Sequence, residues 1–96
     1  MNKNFQTEIG EWGRAKFPNG NPNSVIAHLR EEVNELAENN SGEEAADCLI
    51  LLFQHAYFCG YDLMIEAFKK FDINKKRKWG KPDKDGIVKH IKGEHL

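Results

Sequence analysis

The sequence predicts an all-α protein, a four-helix bundle with a short C-terminal tail that forms a single domain over residues 1–96. Apolar residues recur at helical spacing along most of the chain, and no strand-like alternation of apolar and polar residues continues beyond a few positions. A chain of 96 residues is long enough for one modest hydrophobic core and too short for two. Short connections between the helices favour antiparallel packing of neighbours.

Breaker residues divide the chain into segments with helical periodicity. A loop rich in asparagine, proline and glycine follows the first segment, an Asn-Ser-Gly turn follows the second, and a glycine follows the third. Ser41 is a favourable N-cap for the third helix, because its hydroxyl can accept a hydrogen bond from a backbone N–H of the first turn. The predicted helices cover residues 4–16, 23–39, 42–59 and 63–78, and the tail covers residues 80–96.

The third predicted helix is apolar on nearly all sides. It contains six apolar residues in a row, from Cys48 to Phe53, and is therefore expected to be the most buried element. Neighbouring helices of this size do not readily cover such a surface. The sequence therefore predicts self-association to a dimer or a tetramer, with the third helix near the interface.

Composition narrows the class of protein. Charged residues make up 30% of the chain, and its longest apolar run has six residues. A helix needs roughly 20 apolar residues to cross a bilayer, so no membrane role is expected, and the first residues lack the apolar stretch of a signal peptide. Cys48 and Cys59 lie about 16 Å apart along one predicted helix. They cannot pair within it, which favours reduced thiols in a cytoplasmic protein.

Acidic residues dominate the segment from Glu31 to Asp47, which holds seven carboxylates and no basic residue. Two pairs within it, Glu32 with Glu35 and Glu44 with Asp47, are spaced three apart, so each pair lies on one helix face. Carboxylates held this close repel one another unless protons or cations neutralise them. Because oxygen ligands suit hard divalent cations, the segment predicts a metal site, for Mg²⁺ above all.

The carboxylates of the second predicted helix are not equivalent. On a helical wheel Glu32 and Glu35 flank the apolar stripe of that helix, together with His28. Glu31 and Glu38 point further towards solvent. This skew towards the stripe favours metal-ligand roles for Glu32 and Glu35 over an ordinary solvated acidic face.

The carboxylates of the third predicted helix have separate explanations. Asp47 directly precedes the apolar run, so it is expected at the edge of the core, where an ionised carboxylate favours a nearby cation. Ser41 and Glu44 have the spacing of a capping box, which by itself explains a glutamate at this position. Ligand and cap are therefore both open for Glu44, whereas Glu43 is explained by the positive end of the helix dipole.

The C-terminal part of the chain is basic, because residues 69–96 carry ten Lys and Arg against four Asp and Glu. Asn74 and Arg77 share a helix face, and Lys78 lies one turn from Asn74. Guanidinium groups suit phosphate oxygens, and an amide suits a sugar hydroxyl or a base edge. For Lys75 the alternative is a favourable interaction with the C-terminal end of the helix dipole.

In combination these features resemble a known family. The carboxylate pairs on successive helices are the metal signature of MazG-like all-α nucleoside triphosphate pyrophosphohydrolases, and the residues around them resemble the dATP/dGTP diphosphohydrolase branch. The resemblance covers most of the chain, from about Trp12 to Ile91. Its motifs are Trp12, Phe17-Pro18, His28-Leu29-x-x-Glu32-x-x-Glu35-Leu36, Glu44-x-Ala46-Asp47-x-Leu49, Asn74-x-x-Arg77-x-Trp79, Gly86 and His90-Ile91.

The resemblance implies hydrolysis of a (deoxy)nucleoside triphosphate, a purine dNTP in this branch, to its monophosphate and pyrophosphate. The implied cofactor is Mg²⁺, for which Mn²⁺ can substitute. Glu32, Glu35 and Asp47 would be metal ligands, with Glu44 as a further one. Glu31, Glu32 and Glu35 form the implied catalytic set, with Glu31 or a neighbouring carboxylate orienting the attacking water. Taken by themselves, Trp12 and Trp79 fit either the core or a platform on which a base stacks. The resemblance places both among the substrate contacts. The implied substrate contacts are Trp12, His28, Asn74, Lys75, Arg77, Lys78 and Trp79.

Two other interpretations stay open at the level of sequence. The same residues fit a non-catalytic nucleotide- and metal-binding helical protein, and the basic tail fits a nucleic-acid-binding module, although the acidic centre argues against nucleic acid. A di-iron bundle ranks last, because neither Glu32 nor Glu35 is followed by a histidine three residues on. The expected partners are the triphosphate and further copies of the chain, in the cytoplasm of a bacterial or phage-infected bacterial cell.

Overall fold

The computed structural model describes residues 4–92, which contain four α-helices. The predicted all-α class is confirmed for these residues, and every helix end lies within two residues of its predicted position. Residues 1–3 of the predicted domain and residues 93–96 of the predicted tail lie outside the described residues. The helices are α1 (Phe5–Lys16), α2 (Pro22–Glu38), α3 (Gly42–Cys59) and α4 (Leu63–Lys76). The chain divides into two compact units, Met1–Leu63 and Met64–Leu96.

Side-chain caps fix the starts of α1 and α2. Asn4 Oδ1 accepts a hydrogen bond from the Thr7 N–H at 2.8 Å. Asn21 and Ser24 form a reciprocal capping box, in which each side chain accepts from the backbone N–H of the other residue. Pro22 occupies the first position of α2, where a backbone N–H is not needed and a fixed φ favours the helix. This proline is the reason why α2 begins one residue earlier than the predicted start at residue 23.

The core of the first unit is built around α3, which packs against both α1 and α2. The backbone of α1 approaches α3 closely, because a Cβ at Gly10 would overlap the ring of Tyr57. Gln6 ties the start of α1 to the turn after α3, donating to the Tyr61 carbonyl at 2.6 Å and accepting from the Leu63 N–H at 3.0 Å. The prediction that the third helix is the most buried is confirmed, since its buried residues are Cys48, Leu51, Phe53, Gln54 and Ala56.

The second unit differs from the predicted helix and tail in two respects. Helix α4 ends at Lys76, two residues before the predicted end, and the segment after it forms a closed loop rather than a simple tail. The chain leaves the helix because the Trp79 indole N–H donates to the Asn74 carbonyl at 2.9 Å. Trp79 also forms an isolated antiparallel bridge with His90. The flanking backbone hydrogen bonds, from Gly80 to Lys89 and from Ile91 to Lys78, are both 2.8 Å long.

No single helix of residues 4–92 is long and apolar enough to cross a bilayer. Helices α3 and α4 together have a sufficient length and composition, but they are bent by 105° relative to one continuous span.

Candidate active site

Three carboxylates from two helices meet at one point. Glu32 and Glu35 come from α2 and Glu44 comes from α3, and one carboxylate oxygen of each lies within 4.8 Å of the other two. Glu32 and Glu44 are half-buried, and Glu35 is exposed. The i, i+3 spacing places Glu32 and Glu35 on one face of α2, and the packing of α3 against that helix brings Glu44 to them. We call Glu32, Glu35 and Glu44 the carboxylate cluster.

The start of α3 determines where the Glu44 side chain lies. The Ser41 hydroxyl accepts from the Glu44 N–H at 3.2 Å, which is the first half of a capping box. The second half is replaced, because the Ser41 N–H donates to the Asn39 carbonyl at 2.6 Å instead of to the Glu44 carboxylate. The backbone of Glu44 therefore takes part in the cap while its carboxylate joins the cluster, and its role as a metal ligand stays a prediction.

The electrostatics of the cluster favour neutralisation. A hydrogen bond with Glu35, burial and the charges of Glu35 and Asp47 raise the pKa of Glu32, against a smaller lowering by His28. Burial, followed by the charges of Glu35 and Asp47, raises the pKa of Glu44. Glu32 Oε2 and Glu44 Oε2 are shielded from solvent and have no hydrogen-bond donor among residues 4–92. Unpaired carboxylate oxygens at such distances are the donor set that hard divalent cations prefer.

Asp47 and Glu31 lie at the margins of the cluster. Asp47 is outside the group of three, but its charge acts on both Glu32 and Glu44. The prediction that Asp47 sits at the edge of the core was wrong, because the residue is exposed. Successive helix positions point about 100° apart, so the apolar run after Asp47 does not bury it. Glu31 is exposed, and so are Glu38 and Glu43, which the sequence assigned to solvation and to the helix dipole.

His28 contacts the cluster directly. Its Nε2 lies 3.1 Å from Glu32 Oε1, one helical turn away on α2. This contact occupies one oxygen of Glu32 and leaves Oε2 available to a cation. A histidine that hydrogen-bonds a carboxylate ligand fixes the orientation of that ligand. His28 therefore contacts Glu32, and it also lines a cavity next to the carboxylate cluster.

This cavity has a volume of about 810 Å³ and opens beside the cluster, and Glu32, Asp47 and His28 form part of its wall. Trp12 lies in the wall with half of its surface exposed and contacts Phe17 edge to face, with ring centroids 5.8 Å apart. Trp12 is therefore a cavity residue and not a core residue. The remaining apolar wall consists of Phe5, Ile9, Val25, Ile50, Leu51 and Phe58. Such a volume and lining are typical of small-molecule sites.

Several cavity residues were missed by sequence reasoning. Phe5 and Phe58 follow the apolar pattern of core positions, and only the packing of α1 on α3 shows that they face a cavity. Asn19 and Ser24 come from the breaker-rich segment around the start of α2 and also line the cavity. Gln54 is the one case with a sequence signal, since a polar residue directly after six apolar residues on a buried helix is unusual.

The predicted substrate residues of the C-terminal unit form a local group of their own. The Trp79 indole contacts the Asn74 carbonyl, and the Arg77 Nη1 lies 3.4 Å from His90 Nδ1. Arg77 Nε is shielded and has no partner among the described residues. The Lys75 ammonium lies 5.0 Å from the centroid of the Phe71 ring.

The prediction that Asn74 and Arg77 share a helix face was wrong, because α4 ends before Arg77. Phosphate binding by Lys75, Arg77 and Lys78 stays a prediction.

The raised pKa values of Glu32 and Glu44 predict how stability depends on pH. The folded chain binds protons at these groups more tightly than the unfolded chain. Their stabilisation is therefore complete below the ordinary carboxyl range and is lost as the pH rises through the raised values. The contribution of these two groups to the melting temperature of the metal-free protein should fall as the pH rises above the ordinary carboxyl range, and added Mn²⁺ or Mg²⁺ should reverse the fall. A double variant, Glu32→Gln with Glu44→Gln, should show a flatter profile than the wild type; an identical slope would contradict the assignment.

Comparison with known proteins agrees with this geometry. The model of the dATP/dGTP pyrophosphohydrolase family matches residues 5–95. The dATP/dGTP diphosphohydrolase of Cyanophage S-2L is 35% identical over 92 residues, which is 93% of this chain and 87% of that protein. A solved structure of the Cyanophage S-2L MazG-like pyrophosphohydrolase, bound to dGDP and three catalytic Mn²⁺ ions per active site, superposes with a TM-score of 0.79 at 35% identity, covering 92% of this chain and 89% of that one.

The match confirms what the sequence motifs predicted about the family and the fold. The family model spans almost the whole described chain, from α1 to the closed loop, and the solved relative shares the all-helical MazG-like fold. The predicted divalent cofactor agrees with the ions of that relative. The chain therefore belongs to the dATP/dGTP pyrophosphohydrolase family.

Proposed function

We propose that this protein hydrolyses the purine deoxynucleoside triphosphates dATP and dGTP to the monophosphate and pyrophosphate, with Mg²⁺ as cofactor and Mn²⁺ as a substitute. The observation that carries the proposal is the carboxylate cluster, whose two shielded and unpaired oxygens lie beside an apolar cavity of about 810 Å³. The named activity of the cyanophage relative and its bound dGDP support the same substrate class. Since dNTPs are cytoplasmic metabolites, we place the reaction in the cytoplasm of a bacterial or phage-infected bacterial cell.

The residues present fit a divalent cation. Glu32, Glu35 and Glu44 would hold it, with Asp47 as a further ligand at the exposed side of the cluster. When bound, the cation neutralises charge on the phosphates and lowers the pKa of coordinated water. His28 hydrogen-bonds to Glu32 Oε1, which leaves Glu32 Oε2 available to the cation. Glu31, or a neighbouring carboxylate of the catalytic set Glu31, Glu32 and Glu35, would accept the proton of the attacking water.

The cavity would hold the nucleoside. Its wall combines aromatic rings with few polar groups, which suits the face of a purine base. Trp12 is exposed enough to stack on a ligand, and its edge-to-face contact with Phe17 holds the indole in place. Because Glu32 and Asp47 line the same cavity, one ligand can place its phosphates on a cation held by the carboxylates and its base against the aromatic wall.

Pyrophosphate release from a panel of NTPs and dNTPs tests the proposal. Turnover of dATP and dGTP that requires Mg²⁺ or Mn²⁺ and stops with a chelator is expected. Metal-dependent nucleotide binding without turnover would instead indicate a nucleotide sensor. Salt-sensitive binding to DNA or RNA that persists in Glu35→Gln would indicate a nucleic-acid-binding module. Either result, with no turnover of any triphosphate, would overturn the proposal.

Self-association is the second part of the proposal, and exposed apolar side chains on both units support it. On α3, Leu49 is 45% exposed and Leu52 is 37% exposed. On α4, Phe68 is 68% exposed and Phe71 is 61% exposed, and no residue of that helix is buried. Apolar surfaces of this kind are typical of interfaces between subunits. Burial between copies of the chain would remove them from water.

Replacing Phe68 by Ser should reduce the molar mass measured by light scattering at a given protein concentration. The expected effect comes from the loss of apolar area, which contributes roughly 25 cal/mol per Å² when buried. Lys69→Ser is the matched control, because Lys69 is exposed on the same helix and carries no apolar ring to bury. A wild-type protein that is monomeric at high concentration would contradict self-association.

A further inference from the structure

Gln54 is a buried polar residue in the middle of the core helix α3. Its exposure is 6%, and its amide is not one of the solvent-shielded unpaired groups of residues 4–92. It lies in the wall of the large cavity, where its neighbours are mostly apolar. A side-chain amide in such a wall needs hydrogen-bond partners, which a ligand or water in the cavity can supply. The position of Gln54 therefore points to an occupant of the cavity.

Helix α1 leaves space for this amide. A Cβ added at Gly13 would lie 3.0 Å from Gln54 Nε2 and 3.3 Å from its Cδ. Both distances are tighter than ordinary van der Waals contact, so any larger residue at position 13 would press on the amide. Gly13 itself lines the cavity. The absence of a side chain there keeps the end of Gln54 free to rotate towards a ligand.

The register of α3 places Gln54 relative to the phosphate end of the site. Asp47 and Gln54 both line the cavity and are seven residues apart, which is two helical turns on one face. Their Cα atoms are therefore about 10 Å apart along the helix axis. A separation of this order matches the reach of a nucleotide from its phosphates to its base.

We propose that the Gln54 amide hydrogen-bonds to the edge of the purine base and accepts both adenine and guanine by rotating about its last side-chain bond. The inference rests on the proposed function. Adenine presents a donor at N6 and an acceptor at N1, whereas guanine presents an acceptor at O6 and a donor at N1. A side-chain amide has one acceptor and two donor hydrogens, and a half-turn exchanges their places. Cytosine and thymine carry the same two patterns on a smaller ring, so this contact alone does not distinguish purines from pyrimidines.

Two substitutions of Gln54 should have different kinetic effects. Gln54→Met keeps the length of the side chain and removes the hydrogen bonds, so KM for dATP and for dGTP should rise about tenfold with a smaller change in kcat. Gln54→Glu leaves only acceptors, which suit the N1 and N2 donors of guanine and oppose adenine N1. The ratio of kcat/KM for dGTP to that for dATP should therefore increase about tenfold.

A substrate analogue tests the same contact in the wild-type protein. A dATP analogue without the N6 amino group should have a KM about tenfold above that of dATP. In Gln54→Met the two substrates should have equal KM values, because the group that distinguishes them has lost its partner. Circular dichroism and calorimetric Mn²⁺ binding report whether each variant keeps its helices and its carboxylate cluster.

The outcomes separate this inference from the proposed function. No turnover of any dNTP by the wild type would overturn the proposed function and this inference with it. An active wild type that uses dATP and the analogue with equal KM would overturn the inference alone, and so would active variants with unchanged KM and unchanged base preference. If a variant fails to fold, the KM of the analogue measured with the wild-type protein still tests the contact between Gln54 and the base.

Discussion

Replacing Glu35 by Gln should reduce pyrophosphate release from dATP by about 100-fold or more. Glu35 is the central carboxylate of the cluster, because its hydrogen bond and charge raise the pKa of Glu32 and its charge raises the pKa of Glu44. The Gln side chain keeps the size of Glu but offers one neutral acceptor in place of a carboxylate, so cation binding weakens. Steady-state kinetics at saturating Mg²⁺, together with calorimetric Mn²⁺ binding, measures the effect.

The same substitution should leave the metal-free fold intact. Removing one of three carboxylates relieves repulsion in the cluster, so the melting temperature of the metal-free variant should equal or exceed that of the wild type. Glu38→Gln is the matched control, since Glu38 is exposed three residues further along α2, and its activity should remain near that of the wild type. Loss of helicity in Glu35→Gln in proportion to the loss of activity would indicate a structural role.

Replacing Gly10 by Ala should destabilise the protein by about 1–3 kcal/mol. The added methyl group would overlap the ring of Tyr57, so either the ring or helix α1 must move. The Tyr57 ring is also covered by Arg14, whose guanidinium carbon lies 5.1 Å from the ring centroid, and a shift of the ring disturbs that contact. Urea denaturation followed by circular dichroism measures the free energy of unfolding.

Gly42→Ala is the control for the close approach at Gly10. Gly42 is the first residue of α3, and nothing lies within 4 Å of a Cβ built there. Because alanine favours the helix, this variant should be neutral or slightly more stable than the wild type. If both alanine variants changed stability by the same amount, the effect at Gly10 would come from helix propensity and not from contact with Tyr57.

Helical periodicity and breaker residues were sufficient to predict the helices. The boundaries of α3 are set by Ser41 and Gly60, which cap the helix through the Ser41 hydroxyl and through a left-handed glycine with φ of +79°. The end of α4 could not be predicted in this way, because the basic residues that follow it are good helix formers. The contacts that end the helix come from residues further along the chain. The pairing of Trp79 with His90 spans a loop, and local propensity carries no information about it.

The candidate site could be predicted only where the pattern lies within one helix. Glu32 and Glu35 were identified because the i, i+3 spacing and the apolar stripe belong to the same segment. The position of the Glu44 carboxylate depends on a backbone hydrogen bond between Ser41 and Asn39, which the sequence does not specify. Gln54 needs the packing of α1 on α3 before its surroundings are known.

The position of Glu44, one member of the carboxylate cluster, at the start of α3 affects how strongly the cluster depends on a cation. Glu44 lies in the first turn of that helix, where the backbone dipoles present partial positive charge. This field offsets part of the repulsion among the carboxylates without any bound ion. A bound cation would offset the rest, so the stability of the folded chain should rise with the free cation concentration.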